Sequence, residues 1–193
     1  MAAADPIPLA QRWLDEAAAA AVGQPEAMAL ATAGADCRPS VRMVLMRGLD
    51  AAGFRFYTNR ESRKGDDLRA NPRAALVFHW DALGRQLRAE GPVSELPDAE
   101  SDAYFAGRPL ESRLGAWASD QSRPLASRES LVERFDEAGR RFASGDVPRP
   151  PYWGGYLLAP ETIEFWEHGE YRLHHRRLFT RGPDGWREEL LAP

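Results

Sequence analysis

Apolar side chains recur through residues 7–21 at helical spacing: Ile7, Leu9, Ala10, Trp13, Leu14, Ala17, Ala18 and Ala21, with Asp15 and Glu16 on the other side. The spacing predicts one amphipathic helix over about 5–22, ending near Gly23, with its apolar stripe turned to a core. From Ala27 the period changes to two. Segments 28–32, 40–47, 53–58, 74–80 and 86–96 read as strands, separated by Gly- and Asp-rich turns. In 40–47, Arg42, Val44 and Met46 share one face, and Val41, Met43, Leu45 and Arg47 the other. Helical patterns return at 63–70, 97–106, 111–118 and 128–142, the last capped by Ser127. After the stiff Val147-Pro-Arg-Pro-Pro151 linker, segments 154–158, 162–166, 176–180 and 186–191 read as strands again. Short strands linked by turns, with helices around them, predict one α+β domain over 1–193: an antiparallel barrel-like sheet flanked by helices. Residues 1–4 are expected to be disordered.

Composition narrows the partners rather than the fold. The net charge of −4 gives no bulk attraction to nucleic acid or an anionic membrane. No apolar run approaches the roughly 20 residues of a membrane span, and the N-terminus lacks signal-peptide character. Cys37 is the only cysteine, so no internal disulfide can form, and a cytoplasmic location is expected. Lys64 is the only lysine among 25 basic residues, so arginine is the default cation here.

The stretch Tyr57-Thr58-Asn59-Arg60-Glu61-Ser62-Arg63-Lys64-Gly65 stands out chemically. A strand runs into a turn, Ser62 is expected to N-cap the next helix, and two cations follow in its first turn. A helix N-terminus is already partly positive, so these cations call for an anion, and a phosphate fits. A solvated basic turn offset by Asp66 and Asp67 is the plainer alternative. Other basic groups repeat the theme. Arg42 and Arg47 sit on one strand, and Arg172, His174, Arg176 and Arg177 lie near Trp166. If 172–176 is strand, Arg172, His174 and Arg176 share a face. Fixed cations beside an aromatic wall suit a planar, phosphorylated ligand. Three histidines (His168, His174, His175) fall close together, but adjacent strand residues point apart and no Cys or Asp completes a metal site, so none is expected. No Gly-x-Gly-x-x-Gly, Walker, Gly-x-Ser-x-Gly or His-Glu-x-x-His motif is present.

The order of motifs resembles the pyridoxamine 5′-phosphate oxidase family across nearly the whole chain. The residues carrying the likeness are Arg42-Met-Val-Leu-Met-Arg47, Phe56-Tyr57-Thr58-Asn59, Ser62-Arg63-Lys64-Gly65, Asn71-Pro-Arg-Ala74, Arg85-Gln86, Glu100 to Phe105, Arg108-Pro109, Gly115 to Ser119, Gln121-Ser122, Pro151 to Gly155, Ile163-Glu-Phe-Trp166, Arg172-Leu-His174 and Leu190 to Pro193. The resemblance implies an FMN-binding split barrel and a homodimer with FMN at the interface. It implies oxidation of pyridoxamine (or pyridoxine) 5′-phosphate to pyridoxal 5′-phosphate, with O2 as acceptor and H2O2 as product. The FMN contacts it implies are Arg42, Met43, Val44, Leu45, Tyr57, Thr58, Arg63, Lys64, Gln86, Gln121, Ser122, Trp166 and Arg176, with Arg63 and Lys64 on the phosphate. The implied substrate contacts are Arg47, Tyr104, Arg108 and Ser112, with Arg172 and His174 flanking the pyridine ring as the catalytic pair.

Three positions depart from the family pattern. Arg47 stands where Lys is usual, exchanging a compact ammonium for a planar fork. His175 stands where Asp is usual, removing a carboxylate beside His174. The segment that closes over the substrate in some relatives has no counterpart here, which leads to an expectation of a more open site. Two other readings compete: an oxidase of the same fold acting on another aromatic, such as a phenazine precursor, and a low-turnover protein that binds FMN or pyridoxal phosphate.

Overall fold

Alternating apolar positions are satisfied by pairing around a closed sheet. The computed structural model describes residues 3–20 and 22–193. Among them are nine strands: β1 (Ala27–Ala33), β2 (Pro39–Asp50), β3 (Gly53–Asn59), β4 (Arg73–Trp80), β5 (Arg85–Glu95), β6 (Trp153–Leu158), β7 (Thr162–Glu167), β8 (His175–Gly182) and β9 (Gly185–Leu190). Five helices accompany them: α1 (Ile7–Ala19), α2 (Arg63–Ala70), α3 (Asp98–Ala106), α4 (Leu110–Ala118) and α5 (Arg128–Arg141).

All pairings are antiparallel, in the order β4-β1-β2-β3-β6-β5-β7-β8-β9, with β4 also paired to β5. The extra pairing closes six strands into a barrel. β5 is the branch point: its first half, from Arg85 opposite Glu167 to Glu90 opposite Thr162, pairs with β7. Val93, Ser94 and Glu95 pair instead with β6. Gly91 sits at the divide, where a Cβ would lie 2.0 Å from the Ala159 carbonyl oxygen. Only glycine lets the two strands separate there.

The inward positions of the alternation fill the barrel. Phe54, Phe56, Phe78, Leu30 and Leu87 are fully buried, each contributing about 1.5–3 kcal/mol by removal from water. α1 closes one end, where Trp13 meets Phe165 edge-on at 5.0 Å and Trp80 at 6.5 Å. A second, smaller cluster of Phe105, Leu114, Ala138, Val147 and Trp153 forms beneath α3, α4 and α5. Ser127 caps α5 in a reciprocal box with Ser130.

Boundaries near the N-terminus differ from the sequence expectation. α1 stops at Ala19, because beyond the buried Ala17 the alanines meet only solvent; Ala21 lies outside the described residues. Within the segment 1–4 expected to be disordered, the Ala3 N–H donates to the Trp186 carbonyl at 2.6 Å; residues 1 and 2 lie outside the described residues.

Candidate active site

β2, β3, the start of α2, α3 and the loop after α4 surround a cavity of about 460 Å³. Its walls are Arg42, Met43, Val44, Leu45, Arg47, Tyr57, Thr58, Lys64, Tyr104, Arg108, Gln121, Ser122 and Trp153. Four of these are cations and none is a carboxylate. Ser112 lines an adjoining hollow that shares Arg108, Gln121 and Trp153 with it. Arg63 is exposed.

The turn between β3 and α2 sets the cationic end. Asn59 organises it: Glu61 N–H donates to its Oδ1 at 2.7 Å and Ser62 Oγ donates to its carbonyl at 2.7 Å. Ser62 therefore occupies the cap position of α2 without capping it, contrary to the sequence expectation. Its hydroxyl proton is taken by Asn59, and its oxygen instead accepts from Lys64 Nζ at 3.2 Å. A Cβ on Gly65 would lie 2.0 Å from the Arg60 carbonyl oxygen, so glycine is needed for α2 to start this close to the turn.

Lys64 is 6% exposed. Its ammonium donates to Gln121 Oε1 at 2.8 Å, Thr58 Oγ1 at 3.0 Å and Ser62 Oγ, all neutral acceptors. Burial, assisted by the nearby Arg42 charge, lowers its pKa to about 8. Burying an ammonium on neutral oxygens is costly, and a negative charge beside it would lower that cost.

Arg42 is steadied differently. Its guanidinium donates to the Leu30 carbonyl at 3.1 Å, Thr32 Oγ1 at 2.8 Å and Ser40 Oγ at 2.5 Å. Both hydroxyls pass their protons to Asp67 Oδ2, at 2.6 and 2.9 Å, and that oxygen lies 3.7 Å from Arg42 Nη2. Burial lowers the Arg42 pKa, with Asp67 opposing and Arg63 adding to the shift. Sequence reading treated Asp67 as a general charge offset; its place in this relay depends on β1 and β2 being neighbours, which local spacing does not state.

The opposite wall is aromatic. Tyr57 and Tyr104 stack at 3.9 Å and 7°, and Trp153 lies parallel to both, at 5.6 and 6.1 Å. Arg108 sits over Trp153 at 4.8 Å and over Phe105 at 5.4 Å. Its Nη1 is buried without a hydrogen-bond partner. Burial lowers the Arg108 pKa, and Arg47 pushes in the same direction while Tyr104 opposes. Arg47 has one carboxylate near, Glu26 at 3.6 Å.

The remaining expected residues lie elsewhere. Gln86, Trp166 and Arg176 are direct cross-strand partners, forming one row over β5, β7 and β8. Trp166 and His174 rings are 4.6 Å apart. His174 Nδ1 accepts from Gly169 N–H at 3.3 Å, leaving Nε2 as the open ring nitrogen. The condition for a shared face, strand over 172–176, is not met: Glu170–Arg172 is a 3-10 turn and β8 begins at His175. Tyr171 and Arg172 adopt left-handed backbone, at φ of 54° and 67°, which no β ladder accommodates. Arg172 thus shares no strand face with His174 and projects from an exposed turn, beside Tyr171 at 90% exposure.

Fold and cavity together define a split-barrel protein with a cationic recess that has one aromatic wall. Residues 14–140 match the family model described as pyridoxamine 5′-phosphate oxidase, and residues 153–193 the one described as pyridoxine 5′-phosphate oxidase C-terminal dimerisation region. The chain belongs to the pyridoxamine 5′-phosphate oxidase family. It is 58% identical over its full length to a pyridoxine/pyridoxamine 5′-phosphate oxidase of Anaeromyxobacter dehalogenans, covering 97% of that protein. To the enzyme of that name from Cupriavidus metallidurans it is 55% identical, over 99% of this chain and 90% of the other. Among solved structures it superimposes with a TM-score of 0.93 on PhzG from Burkholderia lata 383 in complex with tetrahydrophenazine-1-carboxylic acid. That match has 36% identity and covers 99% of this chain and 94% of the other. An FMN-binding, pyridoxamine 5′-phosphate oxidase-related protein from Nostoc punctiforme shares the fold, at TM-score 0.76 and 19% identity over the whole of both chains.

Proposed function

We propose that this chain is an FMN-dependent oxidase. It converts pyridoxamine or pyridoxine 5′-phosphate to pyridoxal 5′-phosphate, uses O2 as acceptor and works as a cytosolic homodimer. The carrying observation is a cavity with four cations and no carboxylate among its walls, holding a buried ammonium on neutral oxygens and a buried guanidinium nitrogen without a partner. Two separated groups of donors suit a cofactor phosphate and a substrate phosphate. Lys64, Arg63 and Arg42 would hold the first, and Arg47, Arg108, Tyr104 and Ser112 the second.

Bound flavin supplies the two-electron acceptor. The chain supplies alignment and charge. Thr58 and Gln121 keep the Lys64 ammonium in place. The Tyr57–Tyr104 stack holds the substrate end of the cavity rigid. His174, with Nδ1 occupied by Gly169, would accept or return a proton at Nε2. Arg172 would reach the pyridine ring from its exposed turn. The row Gln86–Trp166–Arg176 is absent from the cavity wall, so one chain offers two incomplete halves. A second copy brings the row of one subunit to the cavity of the other. Val41 and Met43, at 68% and 65% exposure on the outer face of β2, give that association an apolar surface.

The test is purified protein with pyridoxamine 5′-phosphate in air, following aldehyde absorbance and peroxide together. Flavin-loaded protein producing neither sinks the oxidase reading. A second reading, oxidation of a reduced phenazine-type aromatic, is favoured by the likeness to PhzG. Arg108, with its unpaired buried nitrogen, weighs against an unphosphorylated substrate. Turnover of a tetrahydrophenazine carboxylate, but not of the phosphorylated amine, would reverse the order.

A further inference from the structure

Gln86 and Arg176 are tied together by two side chains that no functional reading uses. Arg88 Nη2 and Nε donate to Gln86 Oε1 at 2.6 and 3.2 Å. Arg88 Nη1 also lies 3.4 Å from both carboxylate oxygens of Glu164. Glu164, itself 9% exposed, takes Arg176 in a fork, with Nε to Oε1 at 2.7 Å and Nη2 to Oε2 at 3.2 Å. Arg176 Nη1 then donates to the Ala192 carbonyl at 2.9 Å. The chain Gln86–Arg88–Glu164–Arg176 crosses three strands without a gap.

The chemistry of the groups fixes their sense. A guanidinium has donors only, so the amide atom facing Arg88 must be oxygen. With Oε1 taken twice by a cation, Gln86 keeps only its Nε2 hydrogens for a ligand. A free glutamine could turn either end outward. One held this way is a donor and can meet only an acceptor, such as a ring carbonyl.

We propose that Arg88 is a positioning residue: it locks the Gln86 amide so that the row Gln86–Trp166–Arg176 presents donors alone to the planar ring of the cofactor. Glu164 anchors both arginines from behind. The inference rests on the flavin reading and adds to it which end of Gln86 faces the ring and what holds it there.

The experiment compares FMN affinity by fluorescence titration, the visible spectrum of bound flavin and its two-electron potential in the full-length wild type, Arg88→Met, Arg88→Lys, Gln86→Ala and the double variant Arg88→Met/Gln86→Ala. Arg88 is 38% exposed in its side chain, so its replacement leaves the core intact. Arg88→Met is expected to weaken FMN binding about tenfold, the scale of the one Gln86–ring hydrogen bond that is lost when the amide is free to turn, and to shift the spectrum and the potential. Arg88→Lys restores one donor to Oε1 and should recover most of both. In the Gln86→Ala background, Arg88→Met should add less than a further twofold, because the two residues act as one unit. An Arg88→Met protein with FMN affinity within twofold of wild type and an unchanged spectrum overturns the proposal, as does an equal loss in the Gln86→Ala background. Wild-type protein that takes up no FMN overturns the flavin reading itself, an outcome separate from wild type and variants binding it equally.

Discussion

On the proposed reading, in which Lys64 holds the FMN phosphate, cofactor binding is a proton-linked event. Its ammonium is buried on three neutral oxygens, and burial lowers its pKa to about 8 from an ordinary 10.5. The unfolded chain therefore holds this proton more tightly than the fold does. Between about pH 8 and 10.5 the unfolded state is protonated and the folded state is not, so this group makes the ligand-free fold more stable as pH rises through that window. The steepest gain is about 1.4 kcal/mol per pH unit. A phosphate monoester is already a dianion above pH ~6, so from pH 7 to 9.5 the lysine is the group that titrates at this end of the cavity. Affinity for FMN should be flat up to about pH 8 and then fall, with a limiting slope of about tenfold per pH unit. Lys64→Met should bind FMN more weakly at pH 7, lose the slope, and leave the ligand-free fold no less stable. Equilibrium titration from pH 7 to 9.5 reads the first two effects, and urea melts of the ligand-free protein the third. A wild-type affinity that stays level to pH 9.5, or a Lys64→Met protein that keeps the slope, refutes the reasoning.

Asp67→Asn should cost about 1–3 kcal/mol in urea unfolding at pH 7, because the carboxylate that receives the Thr32 and Ser40 hydroxyl protons is lost. Burial raises the Asp67 pKa, but those two hydrogen bonds and the Arg42 charge outweigh it and the net shift is downward, so its contribution is present above the ordinary aspartate range and is lost as pH falls through the lowered value. In Gly155→Ala the new Cβ would lie 2.6 Å from the Tyr57 ring, so the Tyr57–Tyr104 stack must move. A loss of about 1–3 kcal/mol in stability and a raised KM for the phosphorylated substrate are expected. His175→Asp places a second carboxylate directly opposite Glu167 on β7, and should cost up to about 1 kcal/mol in thermal unfolding without changing FMN affinity.

The elements were legible because their periods are clean. Residues 53–58 alternate Phe54 and Phe56 inward, and the observed β3 differs from the reading by one residue. The start of α2 was legible as a concentration of positive charge, and Lys64 is buried there near Arg42. The manner of holding was not: Ser62 was expected to cap, and its hydroxyl is drawn to Asn59 instead. Side-chain partners across the sheet were invisible for the same reason. Asp67 reaches Ser40 and Thr32, and Arg88 reaches Glu164, over sequence separations of 27, 35 and 76, and no local pattern states such pairings. The conditional face over 172–176 failed differently. Its residues suit a strand, but Tyr171 and Arg172 are held in left-handed backbone, a local override of propensity of the kind that accompanies functional turns.

Charge separates the tasks of the two groups of basic residues. Arg176 is paired: Glu164, which it shares with Arg88, takes two of its nitrogens and the Ala192 carbonyl the third. Its guanidinium is held in a fixed orientation and its charge is partly offset. In the cavity, Lys64 donates only to neutral oxygens, Arg108 keeps a buried nitrogen unpaired, and Arg42 and Arg47 meet carboxylates no closer than 3.7 and 3.6 Å. Positive potential therefore concentrates where phosphate would bind, within low-dielectric walls that strengthen it. Capture of phosphorylated ligands should then depend steeply on the cavity cations and on salt, while a change in the row should weaken FMN binding by only about tenfold, with little salt dependence, and alter what the bound ring does. On the proposed reading, most of the electrostatic attraction then comes from the cavity cations, and the orientation of the ring from the row on β5, β7 and β8.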